Sequence, residues 1–277
     1  MNIYLPEDSI FLANDTRKNR WAIPYHFEAV NVRAEVLLAQ NERFIKDKVV
    51  LDLGCYFGTF SKICLNLGAK KVVGVDSSLE LIDLAKDIFN KENVEPEKYE
   101  FIVGDVFEFL KSYDIPRFDT VLCFGLLYYM QEPLSLLKLI NSVAKQAIIL
   151  DTFTAYYSVI QGKDSLKNVK KVKDETFELP LMFHSLTQSS KKYYNLPEVA
   201  LTKKKSLSFL TCPTVSLLEM YFAVLGTKYT KLDWQSYVKN VDVNWRELIS
   251  SEAKIASHWT DLYSAEIRVS YLLEKVN

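Results

Sequence analysis

The stretch that decides the fold is residues 49–58, which read Val-Val-Leu-Asp-Leu-Gly-Cys-Tyr-Phe-Gly. Its first five residues form a short, mostly apolar run, which is typical of a strand buried on both faces. The run ends at Gly54, and Gly58 follows four residues later. A glycine turn between a buried strand and a helix lets backbone amides approach a bound nucleoside or phosphate. The stretch therefore predicts the first strand of an α/β sheet and the turn that binds its ligand.

Further strand patterns follow this stretch, alternating with helical patterns. Strands are predicted at residues 71–76, 99–103, 118–124 and 147–150, and helices at 57–67, 78–91, 105–112 and 133–145. Such alternation predicts right-handed crossovers and a parallel sheet covered on both faces. Residues 265–273 are also strand-like, and two late strands would complete an antiparallel edge. We therefore expect an α/β fold, a Rossmann-like doubly wound mixed sheet of seven strands whose last two form an antiparallel edge.

The segments around this core divide the chain into four parts. They are an N-terminal helical segment at 1–47, the core at 48–151, a lysine-rich cap or substrate segment at 152–210, and a C-terminal helix and strands at 211–277. From Lys163 to Lys205 there are ten lysines and five acids. We favour a solvated cap over a small-molecule pocket, which would suit an anionic substrate, and RNA binding is the alternative. A helix is expected over Pro213–Leu225, with Thr211 as its cap and Gly226 as its stop.

Composition narrows the classes of protein. The apolar fraction of 49% and the charged fraction of 25% are typical of a globular domain with a sizeable core. A formal net charge of -1 argues against a whole-protein field that attracts nucleic acid. The four cysteines lie too far apart to indicate a zinc site or a disulfide framework, so we expect a cytoplasmic protein. A secretory signal and a membrane span are not expected, and neither is DNA or a membrane as a partner.

Chemically useful residues follow each of the first four predicted strands. The glycine turn follows the first strand, and Asp76 ends the second, where an acid can bind ribose hydroxyls. Gly104-Asp105-Val106 follows the third strand and Phe124-Gly125-Leu126 the fourth. In open α/β sheets, ligands bind outside the carboxyl ends of the strands, at the point where the strand order reverses. The sequence therefore predicts a nucleoside-type site at this edge.

These four segments, in this order and spacing, resemble those of class I S-adenosylmethionine-dependent methyltransferases over about the first 150 residues. The resemblance implies S-adenosylmethionine as the cofactor, with Asp76 on the ribose and Asp105 on the adenine amino group. The remaining cofactor-binding residues that it implies are Asp52, Gly54, Tyr56, Gly58, Ser77, Val106, Phe124 and Gly125. The family commonly has three glycines in the first turn, so Tyr56 must point away from the cofactor or the turn must widen. An NAD or FAD site would prefer a different glycine spacing and does not predict Gly104-Asp105-Val106.

The loop Gly125-Leu126-Leu127-Tyr128-Tyr129 is similar to the Gly-Val-Leu-Tyr-His loop of the tRNA wobble-uridine carboxymethyltransferase group. Tyr128 matches, whereas Tyr129 replaces the histidine and the arginines that follow in that group are absent. That group uses a carboxylated cofactor held by basic side chains, which the sequence alone does not place here, so ordinary S-adenosylmethionine is expected. Tyr128 and Tyr129 are predicted to line the methyl-transfer site, with core packing as the alternative.

Catalytic and metal-binding residues are harder to assign. His26 and His184 are candidate general bases besides His258, although a lone histidine is more often a surface or packing residue. Asp151 ends the fifth strand, near a metal position of catechol-type enzymes, but no clear companion carboxylate accompanies it, so no metal is expected. Asp52 could touch the cofactor's amino group or brace the turn through backbone amides.

The acceptor is less well defined than the reaction. Methyl transfer is an in-line displacement at a sulfonium carbon, so the protein mainly positions the reactants and removes water. A base is needed only if the acceptor carries a proton of high pKa. We expect a methyltransferase acting on a small, anionic metabolite, more so than on RNA. The alternatives are a tRNA-modifying methyl- or carboxymethyltransferase and a non-catalytic S-adenosylmethionine-binding protein.

Overall fold

The computed structural model describes residues 2–13, 23, 25–113, 115, 117–160, 171–189, 206–249 and 258–276. The strands are β1 Val49–Leu53, β2 Lys71–Asp76, β3 Tyr99–Val103, β4 Phe118–Phe124, β5 Ala144–Phe153, β6 Met182–Ser189, β7 Ser206–Pro213, β8 Thr227–Lys231 and β9 Arg268–Lys275. The helices are α1 Phe27–Leu37, α2 Thr59–Asn66, α3 Leu79–Lys91, α4 Val106–Lys111, α5 Pro133–Val143, α6 Ala155–Ile160, α7 Glu175–Glu178, α8 Val215–Val224, α9 Trp245–Ile249 and α10 Asp261–Ser264. Short 3-10 helices occupy Ala39–Phe44, Pro96–Lys98 and Leu127–Tyr129.

The main sheet has seven strands in the order β3-β2-β1-β4-β5-β9-β8. The first five strands pair in parallel, and β9 and β8 join antiparallel to complete the edge. The strand order reverses between β1 and β4, so the turns after these two strands meet at one edge of the sheet. This arrangement confirms the expected doubly wound, Rossmann-like mixed sheet.

An apolar core covers each face of the sheet. Alternate residues of β1 belong to different cores, because successive side chains of a strand point to opposite faces. Val50 packs with residues of α1, α2 and α3, whereas Leu51 and Leu53 pack with residues of α4, α5 and α8. All three of these side chains are fully buried. The continuous apolar run that marked this stretch therefore reflects burial on both sides.

The region after β5 contains structure that the sequence pattern did not predict. Strands β6 and β7 form a separate antiparallel hairpin, paired from Met182 with Pro213 to Ser189 with Ser206. Thr211 lies inside β7, so its prediction as a helix cap is wrong. The cap of α8 is Thr214, whose hydroxyl accepts a hydrogen bond from the Leu217 N–H at 3.3 Å. The helix therefore begins at Val215, because the residues before it are extended and paired.

The predicted lysine-rich cap is only partly described. Its clusters at 191–192 and 203–205, with Tyr193 and Tyr194, lie outside the described residues. Its described part includes the hairpin, in which β7 contacts the 3-10 helix Leu127–Tyr129. Over the described ranges, we find no helix long and apolar enough to cross a membrane.

Candidate functional site

The glycine turn after β1 alternates left-handed residues with ordinary ones. Gly54, Tyr56 and Gly58 have φ angles of 68°, 55° and 82°. Tyr56 therefore keeps the backbone conformation that a glycine would adopt, at the steric cost that a side chain pays there. Its ring is 41% exposed and lies 4.5 Å, centroid to centroid, from the ring of Phe57. The missing glycine thus leaves the turn in its left-handed form and directs the tyrosine side chain outward.

Gly58 also has a packing role. A Cβ at this position would lie 2.8 Å from the ring of Phe101 and 2.9 Å from that of Phe89, so a side chain would displace both. At Gly54 a Cβ would lie 3.3 Å from Leu126, in the turn after β4. The two glycines therefore hold the turn close to its neighbours. Their direct contact with a cofactor stays a prediction.

Asp76 stands at the end of β2 with both carboxylate oxygens hydrogen-bonded to backbone. Oδ2 accepts from the Tyr56 N–H at 3.1 Å, and Oδ1 accepts from the Ser78 N–H at 3.0 Å. Burial raises the pKa of Asp76, and the backbone N–H groups of Ser78, Tyr56 and Ser77 oppose that shift. Each carboxylate oxygen can accept a further hydrogen bond, and the side chain is only half-buried. The residue therefore fits a pair of ribose hydroxyls.

Asp105 caps the helix that follows β3. Its Oδ1 accepts from the N–H groups of Phe107 at 2.9 Å and Glu108 at 3.1 Å, and Val106 is the buried first residue of α4. This capping role was not predicted, although an aspartate directly before a helix with a glutamate three residues later is a capping pattern. A Cβ at Gly104 would meet no atom within 4 Å, so there is open space beside Asp105. Adenine recognition through the other carboxylate oxygen stays a prediction.

Asp52 braces β1 against α2 in a way that the sequence did not indicate. Its side chain is 3% exposed and accepts a hydrogen bond from the Ser61 hydroxyl at 2.6 Å. Desolvation raises the pKa of Asp52 to about 6, while the Ser61 hydrogen bond lowers it and the charge of Asp76 raises it further. The pKa of this carboxyl group, which joins β1 to α2, therefore lies well above that of an ordinary aspartate.

The turn after β4 places Tyr128 beside Gly125. Gly125 has a φ of 71°, and a Cβ there would lie 3.3 Å from Arg268 Nη2 and 3.4 Å from the Tyr128 hydroxyl. Tyr128 is 6% exposed and packs on Phe153 with ring centroids 4.8 Å apart, whereas Tyr129 is 37% exposed. Phe124, at the end of β4, packs edge-on against the ring of Phe60. Tyr128 is thus a core residue whose hydroxyl reaches the edge of the sheet.

A buried ion cluster, which no sequence pattern predicted, lies next to this turn. Asp151 Oδ2 accepts from Arg33 Nη2 at 3.0 Å and from Arg268 Nε and Nη2 at 2.9 and 2.7 Å. Asp151 Oδ1 accepts from the hydroxyls of Ser270 at 2.9 Å and Tyr263 at 3.3 Å. Although burial raises it, the charges of Arg268 and Arg33 hold the pKa of Asp151 below its ordinary value. Asp151 is therefore ionised, and its carboxylate forms ion pairs with both arginines.

The candidate bases lie in three different parts of the chain. His26 caps α1, its Nδ1 accepting from the Ala29 N–H at 3.2 Å, and His184 is an exposed residue of β6 with Nδ1 3.2 Å from the Thr211 hydroxyl. His258 Nδ1 lies 2.7 Å from the Thr260 hydroxyl. A general-base role for His26 or His184 stays a prediction. Among the residues that the structure describes, no group of three His, Cys, Asp or Glu could hold a metal ion.

A cavity of about 250 Å³ lies beyond the end of β5, between α6, α7 and α8. Its lining contains threonines, a serine, aromatic rings and three glutamates, namely Glu178, Glu219 and Glu266. Two of the glutamates have partners, because Glu219 accepts from the Tyr271 hydroxyl at 2.9 Å and Glu266 pairs with Lys231. An acidic lining does not suit the anionic substrate that the sequence predicts.

Comparisons with known proteins identify the family of this chain. A family profile described as "Methyltransferase domain" matches residues 45–212, which is more than half of the chain. The chain is 43% identical over 82 residues to the ribosomal RNA large subunit methyltransferase I of Pseudoalteromonas translucida (strain TAC 125), covering 29% of this chain and 21% of that protein. It is 35% identical over 113 residues to the tRNA U34 carboxymethyltransferase of Campylobacter fetus subsp. fetus (strain 82-40), covering 39% of this chain and 37% of that protein.

Solved structures extend the likeness to the whole fold. An S-adenosylmethionine-dependent methyltransferase from Mesorhizobium loti superposes with a TM-score of 0.52 at 12% identity, covering 89% of this chain and all of that one. At such low identity the superposition shows a shared fold. The curated relatives, by contrast, are matched over a fifth to two fifths of their own length.

Proposed function

The chain belongs to the class I S-adenosylmethionine-dependent methyltransferase family, and from this premise we propose that it transfers a methyl group to a small, anionic acceptor. S-adenosylmethionine is the cofactor of the family, and when bound it supplies a methyl group already activated on a sulfonium. Asp76 and Asp105 fit its ribose and its adenine, at the ends of β2 and β3. The proposal assigns these two residues to cofactor binding.

The chain's own residues would mainly orient the reactants and exclude water, since the sulfonium needs no further activation. Tyr128 is placed for this role, because its hydroxyl lies beside Gly125 while its ring is buried against Phe153. The acceptor atom attacks the methyl carbon as the bond from carbon to sulfur breaks, and S-adenosylhomocysteine leaves. A proton carried by the acceptor atom is released to water or to a nearby base.

The observation that carries the choice of a small acceptor is the contact of β7 with the 3-10 helix Leu127–Tyr129. A hairpin packed on the turn after β4 narrows the edge at which the acceptor must meet the methyl group. A narrow, covered edge suits a metabolite better than a folded RNA. The lysine excess of the cap segment supports an anionic acceptor.

The test is to incubate the protein with S-adenosylmethionine labelled in its methyl group, once with a small-molecule extract and once with total RNA. We expect label in the small-molecule fraction, formed together with S-adenosylhomocysteine. Asp76→Ala is the negative control, because its cofactor binding should be weakened tens-fold or more. Label found in RNA alone would overturn the choice of acceptor, and no S-adenosylhomocysteine in either arm would overturn the activity.

RNA modification is the second candidate, and the comparisons favour it. The two curated relatives described above are an RNA methyltransferase and a tRNA carboxymethyltransferase by name. An RNA substrate would give binding that weakens steeply as salt rises, because phosphate contacts release counterions. Retention of tRNA by the protein at 50 mM salt that is lost at 200 mM would support this candidate.

A further inference from the structure

We propose that Arg33 and Arg268 bind a carboxylate group of the methyl acceptor, at a site directly behind Gly125. The inference rests on the proposed function and makes it more specific, since it names the anionic group and the residues that recognise it. Three features of the buried cluster support this site: its surplus positive charge, an unpartnered donor within the cluster, and the position of the cluster at the edge of the sheet.

The buried cluster has more positive than negative charges. Arg33 and Arg268 are 4% and 5% exposed, and both donate to the same oxygen of Asp151, which is fully buried. Two guanidiniums and one carboxylate leave one positive charge in a region nearly closed to water. Asp261, the other buried carboxylate of this part of the chain, is used elsewhere, accepting from the His258 N–H at 2.9 Å and the Asn240 amide at 2.9 Å. A buried charge without a counter-charge is strongly disfavoured, and a second carboxylate would supply it.

The cluster also contains a buried hydrogen-bond donor without an acceptor. Arg33 Nε is buried and has no hydrogen-bond partner within the described ranges, and the same holds for Trp259 Nε1. Both residues border Tyr263, because Trp259 lies 6.4 Å from its ring and the charge of Arg33 acts on its hydroxyl. Buried donors normally find an acceptor, so the unpartnered Arg33 Nε beside a surplus positive charge indicates an acceptor that arrives with a ligand. Guanidinium groups match the planar geometry of a carboxylate.

The cluster lies directly beside the turn after β4. Asp151 ends the parallel strand next to β4, and its carbonyl oxygen accepts from the Gly125 N–H at 2.8 Å. Because Gly125 has no side chain, Arg268 Nη2 and the Tyr128 hydroxyl come within 3.3 and 3.4 Å of where its Cβ would stand. Only the Gly125 backbone therefore separates the cluster from the edge where we propose that the acceptor lies. A carboxylate held there would place the rest of the acceptor in front of Tyr128.

Aromatic rings already compensate part of the charge. Arg33 lies over Phe60 with 4.6 Å from its guanidinium carbon to the ring centre, and Arg268 lies over Phe153 at 4.8 Å. Such contacts attract a cation but accept no hydrogen bond in the plane of the guanidinium. They therefore stabilise the two guanidiniums in part, but they supply neither an acceptor for Arg33 Nε nor a negative charge.

The experiment observes the arginine Nε–H resonances by NMR in protein loaded with S-adenosylhomocysteine. Sodium acetate is added and compared with sodium chloride at equal ionic strength, and Arg33→Lys identifies the Arg33 signal by its loss. We expect acetate to shift the Arg33 signal saturably, with at least tenfold higher affinity than chloride. Arg33→Lys should weaken acetate binding at least tenfold, as read from the Arg268 signal, and should leave S-adenosylhomocysteine affinity within twofold.

Arg43 provides a matched control on the surface. It also pairs with one carboxylate, Glu274 at 2.9 Å, and lies over a ring, Phe44 at 4.6 Å, but its side chain is 69% exposed. Its Nε–H signal should not respond to acetate, and Arg43→Lys should bind acetate like the parent. If Arg33→Lys does not fold, Arg268→Lys assigns the signals, and the titration of the parent decides the question.

Three results would overturn the proposal. If the parent binds S-adenosylhomocysteine and acetate moves neither arginine signal, the cluster is structural and the proposed function stands. If S-adenosylhomocysteine itself shifts the Arg33 signal and blocks acetate, the site belongs to the carboxylate of the cofactor's amino-acid tail. If chloride acts as well as acetate, the cluster does not recognise a carboxylate. Failure to bind S-adenosylhomocysteine at all would instead contradict the proposed function.

Discussion

Asp151 is the carboxylate whose loss should cost the most stability, because two buried arginines share it. Asp151→Asn keeps the shape and one acceptor oxygen but removes the charge, which leaves Arg33 and Arg268 buried without the carboxylate they share. Breaking a buried ion pair from one side costs ~3–5 kcal/mol. Three N–H donors reach Oδ2 at 2.7–3.0 Å, so we expect the upper half of that range, about 4–5 kcal/mol.

Urea unfolding followed by circular dichroism measures this loss as a lower free energy of unfolding at an unchanged slope. The melting temperature should fall by roughly 10 °C, since each kcal/mol is worth about 2–4 °C in a chain of this size. Asp174→Asn is the matched control. Asp174 accepts hydrogen bonds from Arg246 Nε and Nη2 at 3.1 and 2.9 Å, as Asp151 does from Arg268. Its side chain, however, is 65% exposed. Its loss should cost under ~1 kcal/mol, as exposed ion pairs do.

A double variant separates charge from packing. In the Asp151→Asn background, Arg33→Met removes one of the two unpaired charges and should recover part of the lost stability. If Arg33→Met instead costs as much there as in the parent, the two residues do not interact and the electrostatic reasoning is wrong. The same conclusion would follow if Asp151→Asn lost less than ~1 kcal/mol, the range of an exposed pair.

Three further predictions concern the site. Asp76→Ala should weaken S-adenosylhomocysteine binding tens-fold or more in calorimetry, because two charge-assisted hydrogen bonds contribute ~2–4 kcal/mol; the exposed Asp87→Ala, which loses only its pair with Lys91, should bind normally. Burial raises the pKa of Asp52 from 3.8 to about 6, so its protonated form stabilises the fold at low pH and this contribution is lost as the pH rises through 6. Asp52→Asn should therefore gain up to ~3 kcal/mol over the parent at pH 8 in urea titrations but little at pH 4, and an equal effect at both would refute the assignment. Tyr128→Ala should lower turnover more than cofactor affinity, and normal turnover would mean that the active site is misplaced.

The strands of the core could be predicted because burial on both faces of the sheet requires short, continuous apolar runs, which are visible in the sequence itself. The β-branched runs at 49–53 and 71–76 end in glycine or aspartate, and both strands form as predicted. Strand β7 was missed because Pro213 and the apolar residues after it resemble a helix start. Its pairing with β6 joins residues 17 to 31 positions apart, which local patterns do not reveal.

The cofactor side of the candidate site could be inferred from the sequence, since each of its residues directly follows a strand. The buried ion cluster could not. Arg33, Asp151 and Arg268 come from α1, β5 and β9, separated by more than 100 residues at each step. No local spacing connects them, and an arginine in a helical pattern is ordinarily taken to be exposed. Their meeting is a property of the sheet order, which places β9 beside β5.

That sheet order also constrains when the protein can fold during its synthesis. Strand β9 is the latest of the sheet strands along the chain, yet it lies between β5 and β8. Until the ribosome has released it, β5 has an open edge and β8 has no place in the main sheet. Until then, the Asp151 carboxylate also lacks its ion pair with Arg268, which lies on β9. A nascent chain halted before β9 should therefore expose the unpaired edge of β5 to chaperones, and the sheet can be completed only after β9 has left the ribosome.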